Sequence, residues 1–153
     1  MAVTRGGAST LASAGLVALG GCVGVAARYG LEERFPASPG AWPWTTFWIN
    51  VVGSLLLGAL LETLLRTGPD DGWRRTARLG CGTGVMGGFT TYSTFAVETV
   101  RLAEGGQVWL GVGYALASVA LGILAAVVGI GVAAGLWRRA TGMQAPSRAG
   151  GHA

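Results

Sequence analysis

The polar side chains that fall inside apolar stretches are almost all neutral: Asn50, Thr90, Thr91, Tyr92, Ser93, Thr94, Tyr114 and Ser118, with Phe95 beside them. Hydroxyl and amide hydrogens can replace the hydration shell of a small anion. Aromatic ring edges are partly positive, so Tyr92 and Phe95 can also face one. This set suits passive conduction of an anion. Proton-coupled transport usually needs a carboxylate in a central position, and Glu62 and Glu98 read as peripheral, with Glu98 able to pair locally with Arg101. Competing readings stay open: Tyr92 and Phe95 share a helix face and could simply pack, and Asn50 could make an interhelical hydrogen bond.

Covalent chemistry has little to draw on. The one histidine, His152, is next to the last residue. There is no Ser/His/Asp or Cys/His set, no carboxylate cluster with metal-ligand spacing, and no phosphate loop or dinucleotide fingerprint. Cys22 and Cys81 lie in apolar segments and read as buried small hydrophobes. The chain reads as a non-enzyme.

What positions the polar set is a membrane domain. Of 153 residues, 51% are hydrophobic and 12% charged, about half the charge of an ordinary soluble domain. Four spans are expected at about residues 10–29, 45–65, 79–100 and 108–136, with tails at 1–9 and 138–153, the latter disordered. Leu19-Gly20-Gly21-Cys22 resembles a lipoprotein cleavage box, but the apolar run continues past Cys22, so a retained span is expected. Gly20 and Gly24, Ser54 and Gly58, and Gly80, Gly84 and Gly88 each repeat at four, which suits close helix packing in lipid and at least a dimer.

The third span is expected to break near its centre. Gly87 and Gly88 weaken the helix, and the hydroxyls from Thr90 to Thr94 can bond the backbone in other ways. In lipid such a break survives only where protein or water covers the freed groups. Its carbonyls suit a bound cation.

Arginines bias the two ends. Arg5, Arg66, Arg74, Arg75, Arg78, Arg138, Arg139 and Arg148 fall on the side of the termini, against Arg28, Arg34 and Arg101 opposite. That favours cytoplasmic termini, and it accounts for the net charge of +4 without a nucleic-acid partner.

Three stretches resemble the CrcB/Fluc family of small fluoride channels: Gly20 to Tyr29, Thr45 to Ser54, and Gly87 to Phe95 with Glu98 after it. The likeness covers about residues 15 to 130. It implies an all-α membrane protein of four transmembrane helices that forms an antiparallel, dual-topology-type dimer with two anion pathways. It implies passive export of cytoplasmic fluoride across the bacterial plasma membrane. It further implies a structural sodium held by the backbone carbonyls of Gly87 and Thr90, and an anion pathway through Asn50, Tyr92, Ser93, Thr94, Phe95, Tyr114 and Ser118. Two departures from the family pattern stand out, one at Tyr92 and one at Ala120 and Leu124. Tyr92 stands where a phenylalanine is usual, and Ala120 and Leu124 replace a hydroxyl track, so one pathway could be weakened. The family also includes unlike pairs of fixed orientation, and the arginine bias, which sits badly with an equal mixture of orientations, suggests such a subunit; homodimer and heterodimer both stay open. A small multidrug-type antiporter, also four-helix, would need a central carboxylate in its first span, and none is there.

Overall fold

The computed structural model describes residues 4–142, all of them helix or short connection. Helix α1 spans Thr4–Arg34 and α2 spans Trp44–Thr67. A short α3, Gly72–Ala77, runs into a π-helical stretch, Arg78–Met86, and then one α turn, α4, Gly87–Phe89. Helix α5 covers Tyr92–Glu104 and α6 covers Val108–Thr141. Helix α1 thus begins inside the stretch expected as an N-terminal tail, and α6 runs four residues into the expected C-terminal one. Residues 143–153 of that tail, and residues 1–3, lie outside the described part.

Among the described residues three helices are long and apolar enough to cross a bilayer: Ser9–Arg34, Trp44–Thr67 and Val108–Thr141. The 24 residues of α2 give about 36 Å at 1.5 Å per residue, against about 30 Å of hydrocarbon. The expected 79–100 span is delivered in pieces. Thr90 (φ −78°, ψ 155°) and Thr91 (φ −144°, ψ 122°) are extended, so the helical ladder stops there.

Small residues set how the pieces pack. Side by side lie Gly20 and Gly84, then Gly24 and Gly88, so α1 runs parallel to the segmented helix at backbone contact. Ser54 meets Gly122 and Gly58 meets Ala126, so α2 and α6 are also parallel. A methyl group on Gly58 would land on the Ala126 carbonyl, and one on Gly129 on the Leu55 carbonyl. Along this π-helical stretch Gly80 and Gly84 face α1, and Gly82 faces Leu57, Leu60 and Leu61 of α2.

These contacts carry a test. Gly129→Val forces α2 and α6 apart and should cost about 1–3 kcal/mol, read as a lowered midpoint of thermal unfolding in detergent. Gly131→Val, where a Cβ meets open space, should leave the midpoint near wild type.

The connection from α2 to α3 is tied by ion pairs. Arg74 bonds Asp71 at 2.7 Å and Arg78 bonds Asp70 at 2.7 Å, while Arg66 pairs with Glu62 on α2. The hydrogen bonds from Arg78 hold Asp70 below its usual carboxylate range. Cys22 and Cys81 are exposed on helix surfaces rather than buried. Both lie in apolar helices, so each faces lipid or another chain.

Candidate functional site

The interruption at Thr90–Thr91 frees backbone groups, and Asn50 of α2 takes two of them. Its Nδ2 donates to the Thr91 carbonyl at 3.0 Å and its Oδ1 accepts from the Thr91 N–H at 2.8 Å. One amide therefore replaces both ladder bonds of an extended residue that is 7% exposed. Asn50 keeps one further N–H for a ligand, because a primary amide carries two.

Thr91 also starts α5. Its Oγ1 accepts from the Thr94 N–H at 3.1 Å, an N-cap bond, donates to Thr94 Oγ1 at 3.1 Å, and lies 3.2 Å from Ser93 Oγ. Two carbonyls lose their ordinary donors as a result. The i+4 donor of Gly87 would be Thr91 N–H, which goes to Asn50. The i+4 donor of Thr90 would be Thr94 N–H, which goes to Thr91 Oγ1. Between them, the Gly88 carbonyl accepts from Arg28 Nε at 3.3 Å. Arg28 is thus held at the end of α1 by Glu32 at 3.2 Å and by the backbone before the break.

A cavity of about 300 Å³ opens beside this clamp. Asn50, Gly53, Ser54, Thr90, Thr91, Tyr92, Phe95 and Ser118 line it. Ser118 Oγ is buried without a hydrogen-bond partner, a free donor of the kind that calls for a ligand or water. Tyr92 is 81% exposed, with its ring 5.9 Å from that of Phe95. Of the residues expected on an anion pathway, the fold gathers Asn50, Tyr92, Phe95 and Ser118 around one space. Ser93 and Thr94 instead serve the cap of α5. Ala120 and Leu124 are exposed on α6, away from this cavity.

Tyr114 belongs to a second polar cluster. It is fully buried and donates to Glu98 Oε2 at 2.8 Å, while Thr46, 1% exposed, donates to Glu98 Oε1 at 2.8 Å. The local pair of Glu98 with Arg101 does not form among the described residues. Glu98 is therefore a hub between α2, α5 and α6, not a peripheral charge. Sequence reasoning missed both Glu98 and Thr46 as site residues. One signal was available: Tyr92, Phe95 and Glu98 recur at three, on one helix face. The rings of Phe95 and Tyr114 are 5.4 Å apart, and Trp42 meets Tyr114 edge-on at 5.5 Å, so aromatic contact joins the cavity to the hub.

Among the described residues no group of three or more His, Cys, Asp or Glu could hold a metal. The free oxygens at the break are carbonyls, which are hard, neutral ligands suited to a hard cation.

An all-helical membrane protein with a neutral, amide- and hydroxyl-lined cavity beside an interrupted helix is what fold and site define. The chain belongs to the CrcB family: a model of the family described as CrcB-like protein, Camphor Resistance (CrcB), matches residues 15–130. It is 47% identical over 114 residues to Fluoride-specific ion channel FluC 1 of Cutibacterium acnes, covering 74% of this chain and 80% of that one. It is also 47% identical over 121 residues to Fluoride-specific ion channel FluC 2 of Leifsonia xyli, covering 79% and 83%. With the Fluoride-specific ion channel FluC of Thermus thermophilus it shares 43% over 115 residues, covering 74% and 87%.

Proposed function

We propose that this chain is a subunit of a fluoride-selective passive channel that lets cytoplasmic fluoride leave the cell and so lowers its toxicity. The observation that carries the reading is the cavity at the break, whose polar lining is entirely neutral. A dehydrated anion there meets the spare Asn50 N–H, the unpartnered Ser118 hydroxyl and the ring edges of Tyr92 and Phe95. No carboxylate lines this cavity, so no proton exchange is built into it. The names borne by the relatives point to the same ion.

The site opens to the outside of a single chain at Tyr92, which a second subunit would cover. Four crossings in the bacterial plasma membrane, the segmented helix being the third, complete the reading, with an antiparallel dimer as the assembly. The carbonyls of Gly87 and Thr90, stripped of their ordinary donors, would hold a sodium ion in that dimer. Such an ion would tie the two breaks together, and the protein contributes only oxygens to it.

The arginine asymmetry favours a second form of the same reading, a subunit of fixed orientation in an unlike pair. Arg66, Arg74, Arg75, Arg78, Arg138 and Arg139 face three acids at one end, whereas Arg28, Arg34 and Arg101 face four at the other. Liposomes separate the two. Purified chain alone should empty fluoride rapidly, with little chloride loss, on an ion electrode. Silence from folded chain alone, with flux restored by a co-expressed relative, selects the unlike pair. Silence in both preparations overturns the channel reading.

A further inference from the structure

A second cavity, about 330 Å³, lies between the α1–α2 connection and α5. Residues 37–41 and Pro43 form one wall, and Glu98, Arg101 and Leu102 form the other. Glu98 belongs to this wall while its two oxygens hold Thr46 and Tyr114. Tyr114, which donates to Glu98, packs its ring 5.4 Å from that of Phe95, a residue of the first cavity. The connection that closes it is exposed and built of proline and small residues, with Ser38 as its one hydroxyl. The space is therefore open at the exposed connection and bounded on its other side by Glu98.

Its charge is the difficulty for an anion. Glu98 alone would make the lining negative. Arg101 is exposed, and its guanidinium has no ion pair or hydrogen bond among the described residues. Glu104 shares a neighbouring groove with Arg101 but does not pair with it either. An unpaired guanidinium one turn from a fully engaged carboxylate is free to act on what enters. We propose that this cavity is the anion's mouth on that side of the membrane, and that Arg101 keeps it open to anions by offsetting Glu98. The proposal rests on the channel reading.

The size of the effect follows from Coulomb's law. One charge at about 8 Å in water changes the local concentration of a monovalent anion about two- to threefold. Salt removes most of that, since the screening length is about 10 Å at 0.1 M and about 3 Å at 1 M.

The test is fluoride efflux from liposomes holding whichever assembly conducts, with ionic strength set by an impermeant salt. At about 10 mM, Arg101→Gln should conduct about two- to threefold less than wild type, Arg101→Glu about five- to sixfold less, and Arg101→Lys near wild type. At about 1 M the four should converge. Equal flux from all four at low ionic strength overturns the proposal. So does a loss in Arg101→Gln that salt does not change, which marks a structural role. Wild-type protein that conducts in no assembly fails the channel reading instead, and the mouth with it.

Discussion

Replacing Asn50 by alanine should lower fluoride flux at least about tenfold and destabilise the fold by about 2–4 kcal/mol. The stability loss comes from Thr91. Its N–H and C=O bond to Asn50 at 2.8 and 3.0 Å, and the residue is 7% exposed. Alanine leaves both without partners, and a stranded buried polar group costs about 1–3 kcal/mol. The flux loss has a separate source, the spare N–H that the proposed channel reading offers to the anion. Asn50→Asp separates the two effects. It keeps the acceptor for Thr91 N–H, so it should hold more stability than alanine, yet it places a negative charge on the lining and should conduct no better. Unfolding in detergent and liposome efflux, measured on the same preparations, give both numbers. Wild-type stability in Asn50→Ala would remove the clamp, and wild-type flux would remove the residue from the pathway.

Composition and run lengths suffice to read the three long helices, because lipid imposes length and apolarity on each separately. The run from Gly87 to Phe95 likewise marks where a helical ladder is weak. Sequence does not reveal what takes over the freed groups. Asn50 and Thr91 are 41 residues apart, and nothing local to either one names the other. Both readings of Asn50 hold together in the structure: it makes the interhelical bonds and still lines the cavity.

Glu98 was misread for a related reason. Local spacing offers Arg101, but an exposed pair at i, i+3 is worth only a few tenths of a kcal/mol. A carboxylate accepting from two buried hydroxyls gains about 1.5–3 kcal/mol from each. Thr46 and Tyr114 win that comparison, and they lie 52 and 16 residues away from Glu98. The spacing of Gly80, Gly84 and Gly88 suggested one bare helix face. Gly82, two residues from Gly80 and Gly84 and so on the opposite face, packs on α2, which a count by fours does not reveal.

Glu98→Ala should cost about as much as Asn50→Ala, about 2–4 kcal/mol, and the reason is again what is left behind. Thr46 is 1% exposed and Tyr114 0% exposed, so neither hydroxyl has water to turn to. Each loses its acceptor at 2.8 Å and becomes an unsatisfied buried donor. Glu98→Gln should cost far less, under about 1 kcal/mol. The amide keeps one acceptor, and a hydroxyl can rotate to receive from the amide nitrogen. The contrast between these variants tests geometry against charge. If the hub works by hydrogen bonds, glutamine keeps the fold and alanine loses it, in thermal unfolding run side by side. If both variants unfold alike, the negative charge itself is what the hub requires. Tyr114→Phe refines the result, because it removes one donor and leaves no orphan hydroxyl. The carboxylate then still accepts from Thr46, so the expected loss is smaller than for Glu98→Ala. A larger loss would put the weight on the tyrosine hydroxyl rather than on the carboxylate it bonds.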